Sequence, residues 1–489
     1  MSSEVLNQEA LEYSTALNKW VSREQAAVEL IAAVGKLMYE KQVELVLFRN
    51  HLLDQNTSEI LRLHDYAANV VGKPIDAHES AELAKKLANL DLPPAKIDIG
   101  KLAYEWSTES ANFENQDDFI SQKLNNIINA DTDPITPRDV VLFGFGRIGR
   151  LAARELIKQA GKGQQLRLRA IVTRNASEEQ IIKRAALLRN DSVHGPFDGT
   201  VEVDVENKCL LLNGQRINMI EAKQPEDADY ESYGIHDALL IDNTGVYNNR
   251  EALSRHLKAK GVSKVLLTAP GKEIPNIVYA INQDTVDLET ENIYSAASCT
   301  TNAISPVLKV VDDAFGVVKG HIETVHAYTN DQNLLDNMHK KPRRGRSAAI
   351  NMVITSTGAG KAVTKVIPSF ENKLTANAVR VPTPNGSLAI LSLTVDKTTS
   401  KEEVLAEVKK AALEGKLVNQ IHYSLDEELV SNDIIGNTCC SVFDAPATIV
   451  SKDGNNVVLY VWYDNEYGYT KQVIRLAKYV AKVRRLQYY

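Results

Sequence analysis

The sequence has 489 residues, a formal net charge of −7, 44% apolar and 24% charged residues. The length is that of about three ordinary domains, and the composition is that of a globular protein rather than a disordered or fibrous one. The mild acidity argues against general nucleic-acid binding, and no apolar run reaches the roughly 18 residues that a membrane helix needs.

The first 130 or so residues read as helical. Ser22-Arg23-Glu24-Gln25 fits a capping box, and Ile31, Val34 and Met38 follow it at helical spacing. Ser58 to Val71 predicts a second helix stopped by Gly72 and Pro74, Ala81 to Leu90 a third, and Asp117 to Ile128 another. Strand signal is nearly absent, so an all-α module is expected. Asp131 to Pro137 is polar and proline-marked, as linkers are. Met1 to Glu12 has acidic residues and no apolar core of signal-peptide type. The four cysteines, Cys209, Cys299, Cys439 and Cys440, include no CxxC pair, which suits a reducing compartment. A cytoplasmic location is expected.

From Asp139 the pattern changes. Val140 to Phe143 is a short, continuously apolar strand of the kind buried in a parallel sheet. Gly144-Phe145-Gly146-Arg147-Ile148-Gly149 follows at once and opens a helical run from Leu151 to Gln159. A GxGxxG alone is weak evidence; between a strand and a helix it predicts a dinucleotide site. Gly144 allows the tight turn, Gly146 the approach of a pyrophosphate, and Gly149 helix–strand packing, with the phosphates at the helix N-terminus. Strand and helix alternate to about residue 298, as in a doubly wound α/β unit. After the second strand, Ala170-Ile171-Val172, an acid is expected for the ribose 2′-hydroxyl, but the chain reads Thr173-Arg174-Asn175. A carboxylate there repels a 2′-phosphate and an arginine accommodates one, so NADP is expected to be accepted.

Ser298-Cys299-Thr300-Thr301-Asn302 carries a lone cysteine among hydroxyl residues, ahead of a predicted helix and upstream of His326. A free thiol titrates at about 8.5, and an imidazole or a helix N-terminus lowers it. Taken by itself the pentapeptide divides evenly between a nucleophile and a buried small hydrophobe. Beyond Cys299 the strands lengthen, as in Leu388 to Val395 and Val457 to Tyr463, which suggests an α+β domain. Lys340 to Arg346 is a basic run, ordinarily a solvated face or a nucleic-acid patch. Ser356-Thr357-Gly358 and Arg380 supply hydroxyl, backbone N–H and guanidinium groups, the makings of a phosphate cradle.

Gly144 to Arg150, Asp191 to Gly195, Ser298 to Asn302, His326 to Thr329, Ser356 to Gly358, Arg380 to Asn385 and Trp462 to Tyr469 occur in that order. Together they resemble phosphorylating glyceraldehyde-3-phosphate dehydrogenase over residues 138 to 489. The resemblance implies a Rossmann-type NAD(P)-binding domain over 138–298, completed by a C-terminal helix over 466–489. It also implies an α+β catalytic domain over 299–465, with the all-α extension at 1–132 lying outside the usual architecture. Cys299 would be the nucleophile and His326 its base. Arg147 and Ile148 would meet the cofactor pyrophosphate, Lys223 the adenine, Thr268 the nicotinamide ribose and Asn465 the carboxamide, while Thr173 falls where the family usually carries the ribose-binding Asp. Ser298, Thr300, Thr357 and Gly358 would form one anion site, and Thr329, Arg344 and Arg380 the other, which reassigns part of the basic run.

The implied cofactor is NAD or NADP, the implied partners are glyceraldehyde 3-phosphate and inorganic phosphate, and the implied assembly is a homotetramer. Ala303 stands where many members carry a second cysteine, and Gly386-Ser387-Leu388 differs slightly from the usual segment. An erythrose-4-phosphate dehydrogenase, which releases its thioester to water, is the nearest alternative and resembles the chain less around Ser356 to Gly358. A regulatory or scaffold protein retaining the fold is another, motivated by the N-terminal helices.

Overall fold

The computed structural model describes residues 3–130 and 135–489, with side-chain surroundings from Glu12 onward. The chain divides into two compact units: residues 1–135 with 484–489, and residues 136–483. The expected linker falls partly outside the described residues, at Asp131 to Pro134.

The first unit begins with a helix from Ser3 to Lys36. It buries Ala26, Ala27, Leu30, Ala33 and Val34, a stripe at helical spacing. The expected start at Ser22 is not a boundary. Good helix formers on both sides carry the helix through it, and the Ser22 hydroxyl meets His78 Nε2 at 2.8 Å instead of capping. The other expected helices are present as Thr57–Tyr66, Ala77–Asn89 and Gln116–Lys123, and Ile99–Glu109 adds one that the sequence reading lacked.

The unit is helical but not all-α, which corrects that expectation. Glu44–Leu47, Asn50–His51, Ala95–Asp98 and Leu486–Tyr488 form a four-stranded sheet. Strands of two to four residues are too short to display an alternating pattern. Leu486–Tyr488 pairs parallel with Ala95–Asp98 inside this unit. The expected helix over 466–489 is therefore shorter, Tyr467–Val480, and residues 484–489 belong to the first unit.

The second unit contains two large sheets. In the first, six parallel strands run in the order Ile293–Ser295, Val262–Leu267, Ala238–Asp242, Arg138–Phe143, Leu166–Thr173, Gln215–Glu221, with two antiparallel strands at the Gln215–Glu221 edge. Numbered by sequence, the parallel strands read 6-5-4-1-2-3, the doubly wound order. Its direction reverses between Arg138–Phe143 and Ala238–Asp242, where ligands bind beyond the strand ends. Val140, Val141 and Leu142 are fully buried, as a strand covered on both faces requires.

The second sheet is mixed and has eight strands. Val317–Ala327 is its long central member, parallel to Leu374–Val381 and antiparallel to Ser387–Val395, which in turn pairs with Asn456–Tyr463. The register sets His326 opposite Arg380 and Ser387 opposite Tyr463, so the polar ends of four strands gather at one edge.

Candidate active site

The glycine turn has the conformation its sequence demands. Gly144 has φ +93°, a left-handed value open to glycine, and a Cβ on Gly149 would lie 2.5 Å from the Gly144 carbonyl oxygen. A Cβ on Gly146 would meet nothing within 4 Å. Gly146 thus faces open space just before the helix Arg147–Lys158, whose first N–H groups lack helical partners. A pyrophosphate fits this cradle by backbone chemistry alone.

Arg147 is placed here, but its guanidinium is already committed. It pairs with Glu466 and, at 3.1 Å, with both oxygens of Asp191. Burial opposes the charge on Asp191, yet the Val193 and His194 N–H groups and Arg147 hold its carboxyl down to about 2. What Arg147 offers a phosphate is its backbone N–H. Its side chain ties the segment carrying Asn465 and Glu466 to the glycine turn, a network whose acids come from segments far apart in sequence.

Cys299 opens the helix Cys299–Phe315, and the Ser298 hydroxyl caps it by accepting from Thr301 N–H at 3.0 Å. Ala297, just before, is held left-handed at φ 56°, a conformation an alanine rarely adopts. The Ser295 hydroxyl, accepting from Ala297 N–H, and the Tyr469 hydroxyl, donating to Ala297 O, hold it there. Cys299 Sγ lies 3.6 Å from His326 Nε2. His326 Nδ1 lies 2.7 Å from Ala327 O, and since a carbonyl only accepts, the proton sits on Nδ1 and Nε2 presents a lone pair to the sulfur. The Tyr463 ring meets the imidazole edge-on at 5.8 Å.

Burial and the nearby Arg380 charge push His326 down to about 3. Burial also raises the Cys299 thiol, against the pull of Arg380, the Thr300 hydroxyl and the N–H groups at the start of the helix. Both shifts run toward the uncharged forms, because burial strips either ion of its solvation, and so oppose the lowering that an imidazole and a helix N-terminus give a thiol.

Arg380 Nη1 donates to Ala327 O at 2.9 Å and Thr329 Oγ1 at 3.1 Å, while its buried Nε has no partner among the described residues. Asp331, absent from the sequence reading, accepts from Thr329 and pairs with Arg344, whose Nε donates to Thr355 Oγ1 at 3.1 Å. Ser387 donates to Asn465 Oδ1 at 2.8 Å, which orients the amide and leaves its NH2 for the cleft.

One cleft of about 540 Å³ collects Arg147, Ile148, Thr268, Ser298, Cys299, His326, Thr329, Arg380 and Asn465. Thr173, Arg174 and Lys223, with Gly144 and Gly146, line a second cavity at the switch point. Thr300, Arg344, Thr357 and Gly358 line neither. Thr300 is turned to Tyr463, hydroxyl to hydroxyl at 3.1 Å, and the Thr357 hydroxyl accepts from Ala359 N–H at 3.2 Å. Among the described residues, no group of three or more His, Cys, Asp or Glu is placed to hold a metal, and no helix is long and apolar enough to cross a membrane.

Comparison with known proteins places this architecture in a class, the pyridine-nucleotide dehydrogenases that pair a Rossmann domain with a catalytic domain. The NAD binding domain of glyceraldehyde 3-phosphate dehydrogenase matches residues 138–250, and the C-terminal domain of the same enzyme matches residues 298–465. A glyceraldehyde-3-phosphate dehydrogenase-like protein of Pseudomonas aeruginosa is 46% identical over 458 residues, 93% of this chain and 98% of that protein. The glyceraldehyde-3-phosphate dehydrogenases of Geobacillus stearothermophilus and Clostridium pasteurianum are 41% and 38% identical, each over 70% of this chain and 98% of their own length. The chain belongs to the glyceraldehyde-3-phosphate dehydrogenase family, and is an oxidoreductase that uses a nicotinamide cofactor.

Proposed function

We propose that the chain catalyses the phosphorylating oxidation of glyceraldehyde 3-phosphate to 1,3-bisphosphoglycerate, reversibly, through a thioester on Cys299. The observation that carries this reading is the 3.6 Å approach of His326 Nε2 to Cys299 Sγ at a helix N-terminus, in a cleft shared with Arg380 and Thr329.

The neutral imidazole takes the thiol proton as sulfur attacks the aldehyde carbon, and returns it to the carbonyl oxygen to give a thiohemiacetal. His326 Nε2 then takes the hydroxyl proton as the carbon loses its hydride. A nicotinamide ring, when bound, would be held by the Asn465 NH2 and would supply the hydride acceptor. An oxygen of inorganic phosphate attacks the thioester carbon, the sulfur leaves, and the imidazolium reprotonates it. A base pushed down to about 3 is unprotonated at neutral pH, as both proton-accepting steps require. Arg380, with Thr329 beside it, supports an anion site for a phosphate group.

Thr173 and Arg174, standing where an acid would bind the ribose, support acceptance of NADP as well as NAD. The same reading carries a homotetrameric assembly, which native mass measures. Initial rates with glyceraldehyde 3-phosphate, with and without inorganic phosphate and with each cofactor, test the proposal. A burst of reduced cofactor with or without phosphate, followed by turnover that depends on phosphate, is expected; turnover indifferent to phosphate would assign the thioester to water.

A further inference from the structure

The ribose end of the cofactor cleft contains a cation that the sequence reading did not single out. Arg184 sits on the helix Glu178–Arg189 and lines the switch-point cavity, about 330 Å³ in volume, together with Thr173, Arg174 and Lys223. We infer that Arg184, with Arg174 and Lys223, forms a phosphomonoester subsite that takes the 2′-phosphate of NADP. This rests on reading the Gly144–Gly149 turn as a dinucleotide site.

Three observations carry it. The first is charge without a counterpart. Three cations line the cavity and none of its lining residues is acidic. Thr173 is buried and its hydroxyl donates to Asn175 O at 2.9 Å, so it stands in for neither the charge nor the geometry of a ribose-binding carboxylate. Glu221, at the end of the neighbouring strand, accepts from Ala176 N–H at 3.1 Å and does not line the cavity.

The second is the state of Arg184 itself. Its Nε is buried with no hydrogen-bond partner among the described residues. Burial and the charge of Arg150 both oppose its cationic form. A half-buried guanidinium without a carboxylate is held at a cost, and an arriving dianion removes it.

The third is rigidity. Arg174 and Lys223 are exposed, Arg174 just beyond a strand end, whereas Arg184 projects from a twelve-residue helix whose Ile181, Ala185 and Leu188 are buried. A planar fork carried on a packed helix suits bidentate recognition of a phosphate better than two exposed cations do.

The test titrates the full chain with adenosine 2′,5′-bisphosphate and, separately, with AMP, whose only phosphate is on the 5′ oxygen. The bisphosphate is expected to bind at least about tenfold more tightly. Arg184→Gln is expected to weaken the bisphosphate by about 10- to 100-fold while AMP affinity stays near that of the unaltered chain, which also shows that the variant folds. The NADP-to-NAD ratio of kcat/KM should fall in parallel. Equal affinity for the two nucleotides overturns the subsite. A preference for the bisphosphate that Arg184→Gln leaves intact overturns the part assigned to Arg184. Failure of both nucleotides to bind overturns the dinucleotide site, and the proposal with it.

Discussion

The two units bury polar groups to opposite ends. In the first, Asp98 and His64 are spent on the fold. Asp98 is buried and accepts from the N–H groups of Phe48, Arg49 and Lys101 at 2.8, 3.0 and 3.1 Å. That carboxylate holds the left-handed turn at Phe48 and Arg49, with φ of 40° and 69°, between two strands, and caps the helix Ile99–Glu109. His64 spends one nitrogen on Ile60 O at 2.8 Å and the other on Ser80 Oγ at 3.0 Å. In the second unit the corresponding groups keep capacity in reserve. His326 holds its Nε2 lone pair toward Cys299, Asn465 keeps its NH2, and Arg380 keeps Nε. Burial alone therefore does not mark a functional group; burial with an unspent donor or acceptor facing a cavity does.

The comparison breaks most sharply at the nucleophile. Cys299→Ser should abolish dehydrogenase turnover, by about 10⁴-fold or more, because a neutral serine hydroxyl is a far poorer nucleophile than sulfur beside the same imidazole. Cofactor affinity and thermal midpoint should stay unchanged; an active variant would refute the assignment.

His326→Asn should lower kcat by about 10²- to 10⁴-fold, the usual worth of a positioned base. It carries a second signature in stability. His326 titrates near 6.5 when unfolded and is pushed down to about 3 when folded. Between those values the unfolded chain binds the extra proton, so stability is full above pH 6.5 and falls by about 1.4 kcal/mol for each pH unit below it. Denaturant unfolding at pH 7 and pH 5 should show that acid loss in the native chain and a smaller one in the variant. Equal losses would mean that His326 is not held neutral.

The mildest break is in the first unit. Asp98→Ala leaves three backbone N–H groups without their acceptor and should cost that unit about 2–4 kcal/mol, read as faster amide exchange over residues 44–51 and 95–103. Unaltered exchange there would remove Asp98 from the account of the fold.

What was legible in the sequence follows the same division. The glycine turn is legible because its geometry excludes side chains: Gly149 cannot carry a Cβ and Gly144 needs a left-handed φ. The Cys299 helix start is legible from local spacing, but its pairing with His326 is legible only through the family resemblance, since it is the sheet register that brings that strand end to the sulfur. Asp331 and the pairing of Arg147 with Asp191 and Glu466 are illegible for the same reason: no local pattern distinguishes such an acid from a surface one. Ser22 misleads in the other direction, because a capping sequence inside a strong helix former is overruled by its neighbours. The strands of the first unit are too short to read, and their last member lies beyond the whole catalytic unit in sequence.

That last strand gives the chain a clock. Lys101 meets the Tyr489 backbone oxygen, and Tyr488 meets Glu105, across 388 and 383 residues of sequence. Ribosomes add about 5–20 residues each second, so the edge at Ala95–Asp98 stands without its partner for about 20–80 s after it is made. An open strand edge is a template for other chains, and throughout that interval the growing protein is one that can zip onto its neighbours. The catalytic unit, complete by Val483, is thus finished before the unit that precedes it.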